Sequence, residues 1–222
     1  MIAYSIIVPV YNSESMVHKV VARLLNVFEN KDSGIEIIMV DDGSVDHSYK
    51  EIQNCAQKYS CVKGIRLSRN FGHQAALTVG LAESTGQYVA IIDDDLQDPP
   101  EVLPRFFEEL NQGVDVAYGI RKKRKEPFFK RIAFSAFYRV LHKLSGLNIP
   151  MDSGDFCAMK RPVVDAMLQV REAQPFLRGI RCWVGFKHKG IDYERQAREV
   201  GESGYTLTKY LSLAAAGFLS FS

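Results

Sequence analysis

The feature that most limits what this chain can fold into is a repetition. A short, largely apolar run is followed by a polar cluster and then by a helical pattern, four times in succession. The runs are 5–10, 35–40, 62–67 and 88–92. Between them, 14–30 carries Val17, Val20, Val21, Leu24 and Leu25 at helical spacing, and 45–59 and 71–85 are also helical. Largely apolar runs suit strands buried on both faces. Their alternation with helices predicts an α/β fold, a mostly parallel sheet flanked by helices. Such sheets bind ligands beyond the carboxyl ends of their strands. The polar clusters fall at those ends: Pro9-Val10-Tyr11-Asn12, Asp41-Asp42-Gly43-Ser44, Ser68-Arg69-Asn70 and Asp93-Asp94-Asp95-Leu96-Gln97.

A further helix is announced by Asp98 as N-cap, Pro99 at its first position and Glu101 completing a capping box, with its end expected near Gly113. A fifth strand over 114–118 leads into Gly119-Ile120-Arg121, and 127–145 is again helical in pattern. No internal repeat or low-complexity linker divides the chain. The balance of 46% hydrophobic and 24% charged residues is that of a folded domain, and a net charge of +2 gives no general attraction to nucleic acid. Cys55, Cys61, Cys157 and Cys182 form no CxxC pair, which argues against a disulfide framework or structural zinc and fits a reducing compartment. The N-terminus runs straight into a strand without the pattern of a secretion signal, and no run reaches the ~20 apolar residues that span a bilayer.

The chemistry concentrates at the polar ends. Three consecutive carboxylates repel one another, and a divalent cation would offset that repulsion. If strand alternation continues, Asp93, Asp95 and Gln97 share one side, and their oxygens suit Mg²⁺ or Mn²⁺. Asp41 and Asp42 could accept from base or ribose donors, with Gly43 making a tight turn and Asp46 capping the next helix. No GxGxxG or Walker-type loop is present, so phosphates need a metal and basic side chains instead. Arg121-Lys122-Lys123-Arg124-Lys125, with Lys130 and Arg131, supplies them: some to phosphate, some to anionic lipid headgroups. Asp152-Ser153-Gly154-Asp155-Phe156 offers a carboxylate to orient a nucleophile or sugar, or only to make a turn. The segment 198–205 reads as an ordered loop.

Taken together, SIIVPVYNSE, VDDGSVD, LSRNFGHQAAL, DDDLQDPPE, YGIRKKR, DSGDF and REVGESGYT resemble the family 2 glycosyltransferases with a GT-A fold. The resemblance is closest to bacterial polyisoprenyl-phosphate (bactoprenol) glycosyltransferases and dolichol-phosphate mannose synthases, and covers nearly the whole chain. It implies that Pro9, Tyr11, Glu14 and Asp42 line a nucleotide pocket with Asp41 adjacent. It matches Asp93, Asp94, Asp95 and Gln97 to the metal motif, with Asp95 and Gln97 as the foremost ligands. Arg121 would meet phosphate, Asp155 would assist the acceptor, Arg198 would touch the diphosphate, and Arg124 and Arg131 would face acceptor phosphate or membrane. Asp94 stands where many relatives carry Ala, and Gly204 where they often carry Lys. Residues 1–204 would form the catalytic domain. Residues 205–222 would form an amphipathic juxtamembrane segment, shortened before transmembrane helices.

The expected reaction is inverting sugar transfer from a nucleoside diphosphate sugar, UDP favoured, to a polyprenyl phosphate at the cytoplasmic face of the cell membrane, by a chain able to form a homo-oligomer. A phosphate monoester loses its second proton near pH ~6, so the nucleophile is already ionised and the leaving diphosphate is the harder charge to stabilise. The alternatives are a GDP-mannose donor, a saccharide hydroxyl acceptor, nucleotidyl transfer and a nucleic-acid-binding role. The acidic strand ends oppose the last.

Overall fold

This computed structural model describes residues 2–29, 34–121, 153–172 and 175–196. Strands β1 (Ile2–Val10), β2 (Gly34–Asp41), β3 (Val62–Arg66), β4 (Tyr88–Ile91), β5 (Val116–Arg121), β6 (Ser153–Lys160) and β7 (His188–Tyr193) form one sheet in the order β3-β2-β1-β4-β6-β5-β7. Every pairing is parallel except the two made by β6, which runs against β4 and β5. The helices are α1 (Glu14–Phe28), α2 (Ser48–Lys58), α3 (His73–Glu83), α4 (Leu103–Asn111), α5 (Arg161–Gln169) and α6 (Leu177–Trp183).

Strand alternation explains the three layers. Ile6, Val8 and Val10 of β1 pack with Val17, Val20, Val21 and Leu24 of α1 and with Phe106, Phe107 and Leu110 of α4. Ile7 points the other way, into Leu77 and Leu81 of α3, Val163 and Val164 of α5 and Ile180 of α6. Full burial of such a side chain contributes about 1.5–3 kcal/mol, so both faces of β1 hold the domain together. Gly80 lets α3 lie against β1: a Cβ there would stand 2.4 Å from Ile7 Cγ2.

Several boundaries differ from expectation for identifiable reasons. Pro9 lies inside β1, not after it. In this strand Ile7 faces β4, its carbonyl accepting from Ile92 N–H, so Pro9 also faces β4, beyond the last paired residue of that strand, Ile91. A missing N–H removes no ladder bond at that place. Strand β5 extends through Arg121, which is thus fixed at the end of a strand. Asp98 is not an N-cap: Pro99 occupies that position, with no side-chain cap, before a 3₁₀ turn at Pro100–Val102 that leads into α4. Asp46 instead accepts from Ser48 N–H at 3.0 Å in the first turn of α2 and from Glu14 N–H at 3.2 Å in α1.

Candidate active site

The strand order reverses direction between β1 and β4, and their carboxyl ends open the crevice where open α/β sheets hold ligands. To one side, the ends of β1, β2 and β3 are laced together. Asn12 N–H donates to Ser44 Oγ (2.9 Å), Val45 N–H to Asn12 Oδ1 (3.0 Å), Ser13 N–H to Ser48 Oγ (2.8 Å) and His47 N–H to Glu14 Oε2 (2.9 Å). Asp41 accepts from Ser44 N–H at 3.2 Å and lies 3.2 Å from Arg66 Nε. Both oxygens of buried Asp42 accept backbone N–H groups, from Phe71 at 2.8 Å and Gly72 at 2.9 Å. Gly43 at φ +68 is required: a Cβ would lie 2.4 Å from the Arg69 carbonyl carbon. Of the residues expected around a nucleotide, Pro9, Asp41, Asp42 and Glu14 therefore shape this edge. Tyr11, 47% exposed, presents an open ring, as does Phe71, 50% exposed beneath the Arg69 guanidinium.

The acidic loop begins two residues after β4. Strand alternation stops at Ile91 and residues 94–95 form a turn, so the parity argument for Asp93, Asp95 and Gln97 does not carry through. Asp95 Oδ1 accepts Gln97 N–H at 3.1 Å, and Leu96 takes φ +52 while burying its side chain in the core. A bulky residue in that region is strained, and such strain concentrates at functional loops. Asp93 Oδ1 lies 3.0 Å from His73 Nε2. Burial pushes the Asp93 carboxyl up, but the His73 hydrogen bond and charge, with Arg121 and Arg195, pull it down to about 2. Asp94 goes the other way: burial, joined by the charges of Asp93 and Asp95, outweighs a hydrogen bond from Ser13 and raises it to about 7. This crowding of oxygen donors fits a hard divalent cation. Among the described residues no three His, Cys, Asp or Glu side chains form a ready-made cage.

On the far side of the crevice the carboxylates meet side chains. The reversed strand β6 starts at this edge and sets Asp155 there. Its Oδ2 is 3.3 Å from Gln74 Nε2, 3.5 Å from Arg178 Nη2 and 3.9 Å from His73 Nδ1. Burial raises the Asp155 carboxyl, but the Arg178 and His73 charges prevail and hold it below the usual carboxylate range. For His73 burial works downward, and Asp93, then Asp155 and Asp94, lift the imidazole to about 9. Asp98, 1% exposed, accepts from Tyr193 Oη, lies 3.1 Å from Arg195 Nε and stands 3.6 Å from Arg121 Nη2. Arg121 Nε donates to Tyr193 Oη at 3.2 Å. Beyond β7, Gln196 N–H donates to Gln97 O at 2.9 Å.

The structure thus gathers Asp93, Asp155 and Arg121 around one crevice and places Asp94, Asp95 and Gln97 on its loop. Arg124, Arg131, Arg198, the helical pattern 127–145 and the segment 205–222 lie outside the described residues. Sequence reasoning gave no role to His73, Gln74, Arg178, Tyr193 or Arg195, and misassigned Asp98. One signal was available: a histidine at the first turn of a helix, where a cation is disfavoured, directly after a polar strand end.

The profile described as Glycosyl transferase family 2 matches residues 5–168. The uncharacterized glycosyltransferase YkcC of Bacillus subtilis (strain 168) is 42% identical over 222 residues, 100% of this chain and 69% of its own length. The bactoprenol glucosyl transferase of Shigella phage SfX is 35% identical over 219 residues, 98% of this chain and 72% of that protein. In fold, the chain is similar to glucosyl-3-phosphoglycerate synthase from Mycobacterium tuberculosis, solved with Mn²⁺, UDP-glucose and phosphoglyceric acid. The TM-score is 0.70 over 99% of this chain and 78% of that one, at 16% identity. With its parallel sheet, its acidic loop at the topological switch and these relatives, the chain belongs to glycosyl transferase family 2 and is a glycosyltransferase of the GT-A fold.

Proposed function

We propose that this enzyme transfers a sugar, with inversion, from a UDP-sugar to a polyprenyl phosphate at the cytoplasmic face of the membrane, with Mg²⁺ or Mn²⁺ as cofactor. The observation that carries the reading is the crevice itself: Asp93 to Asp95 on the loop after β4, Arg121 and Asp155 on the neighbouring strands β5 and β6, and His73 between Asp93 and Asp155. The relatives named bactoprenol glucosyl transferase support the acceptor class. Asp95, Gln97 and Asp93 would hold the metal, which supplies charge stabilisation to a leaving diphosphate. Arg121, braced by Tyr193 and Asp98, brings a fixed fork to phosphate oxygens. Asp155 is kept ionised among cations, and an acceptor phosphate brings little proton to remove, so its work is positioning.

The direct test is transfer of label from UDP-[¹⁴C]glucose and other UDP-sugars into an organic-extractable product, with and without undecaprenyl phosphate and with and without chelator. Lipid-linked product that requires both acceptor and divalent ion is the expected result. Transfer to a water-soluble saccharide with none to lipid phosphate would overturn the acceptor assignment.

A further inference from the structure

We propose that Arg23, on α1 and outside the crevice, is a positioning residue: it clamps the segment after β7 onto the acidic loop and so fixes where the Gln97 amide stands. The inference rests on the metal reading above and deepens it.

Two stretches far apart in sequence are zipped together here. From the end of β7, Tyr193 Oη and Arg195 Nε both reach Asp98 Oδ1, the second at 3.1 Å. One residue on, Gln196 and Gln97 hold each other in both directions. Gln196 N–H donates to Gln97 O at 2.9 Å, and Gln97 Nε2 donates to Gln196 O at 3.4 Å. Arg23 grips both stretches from outside. Its Nε and Nη2 fork onto the two oxygens of Glu101, at 2.7 and 2.9 Å, in the 3₁₀ turn that follows the loop. Its Nη1 and Nη2 also reach Gln196 Oε1, at 3.3 and 3.4 Å. The helix that carries Arg23 is itself anchored, since Val17, Val20, Val21 and Leu24 are buried in the core.

The ion pair does little for stability on its own: Glu101 is 50% exposed, and a pair in that setting contributes little. What it constrains is geometry. The donors of one guanidinium are coplanar, so the 3₁₀ turn and Gln196 are fixed relative to each other. Gln196 in turn takes the nitrogen of the Gln97 amide, which determines where the oxygen of the same amide stands. An amide binds a hard cation through that oxygen. Partners one step removed from a metal ligand set its orientation, and Arg23 acts on Gln97 through such a partner.

The test measures UDP binding by calorimetry, with Mn²⁺ and with chelator, in wild type, Arg23→Ala, Arg23→Lys and Gln196→Ala of the 222-residue chain. The readout is the ratio of the two dissociation constants, which a general loss of stability does not move. The wild type should bind UDP more tightly with Mn²⁺. Arg23→Ala should shrink that gain about tenfold, the lower end of what outer partners cost a metal site, with the chelator value unchanged. Arg23→Lys should recover part, because the charge returns without the fork. Gln196→Ala should shift the ratio the same way by less, since its backbone bonds to Gln97 remain. An undiminished gain in Arg23→Ala would overturn the clamp. So would an equal weakening with and without Mn²⁺, which marks a general distortion. If Arg23→Ala does not fold, Arg23→Lys and Gln196→Ala decide on the same ratio. Equal wild-type affinity with and without Mn²⁺ would instead remove the metal reading on which the clamp stands.

Discussion

The two sides of the crevice neutralise their carboxylates in opposite ways. At the ends of β1 and β2, Asp42 and Asp46 are saturated mainly by backbone N–H groups, and Asp41 by one N–H and Arg66. At the ends of β4, β6 and β5, Asp93, Asp155 and Asp98 face His73, Arg178, Arg195 and Arg121. A carboxylate bound to backbone N–H groups fixes the path of a loop and cannot release its partners without local unfolding. One bound to a side-chain cation can exchange that partner for a substrate charge. The acidic residues thus divide into those that build the rim and those available for chemistry, although all look alike in the sequence.

Substitutions can break or sharpen that division. The largest effect is expected from Asp95→Asn. UDP should lose most of its Mn²⁺-dependent gain in affinity, and turnover should fall by about 10³-fold, the upper scale for one preorganised charge-stabilising contact. UDP titrations with Mn²⁺ and with chelator check this, and equal wild-type affinity in both would remove the metal assignment. Arg121→Ala comes next, at about 10²-fold in turnover. Arg121→Lys should recover part of the loss, because the charge returns without the fork. Steady-state rates at saturating substrate decide the matter, and wild-type values in both would make Arg121 a bystander.

Asp155→Asn should lose less than the roughly 10²–10⁴-fold that general acid–base catalysis supplies. A pH–rate profile is the measure: steep recovery at high pH would restore Asp155 as a base. The smallest catalytic effect is expected on the backbone-satisfied side. Asp42→Ala orphans the Phe71 and Gly72 N–H groups and should cost ~1–3 kcal/mol of stability. At roughly 2–4 °C per kcal/mol, a melting curve resolves that loss. Unchanged melting with a large rise in UDP Kd would show that the Asp42 carboxylate serves substrate after all.

The same contrast explains what the sequence disclosed. The strands of the first half, their parallel arrangement and the crevice at their ends were legible because periodicity and polar strand ends are local signals. Asp93, Arg121 and Asp155 stood out as charges at or near strand ends and took their expected roles from the resemblance, and the fold does bring them together. Asp98 was misread because cap chemistry is local, whereas its true partners, Tyr193 and Arg195, lie almost a hundred residues away. His73 and Gln74 went unassigned for the same reason: their partners Asp93, Asp155 and Leu177 come from β4's exit, β6 and α6. The direction of β6 was equally hidden, since an apolar run does not say which way it points.

That reversed strand has a consequence for how the enzyme comes into being. The contacts of β1 through β4 close over residues 2–91, a stretch available early during synthesis. Strand β6 then inserts beside β4, pairing Ile91 with Cys157 and Tyr88 with Lys160. Pairings so distant along the chain form late, because the intervening loop must first be closed. Until they form, the β4 edge offers unpaired backbone groups to any neighbouring chain, the usual starting point for misassembly. The strand that delivers Asp155 is therefore also the cover for that edge, and a nascent chain halted before residue 153 would be aggregation-prone as well as inactive.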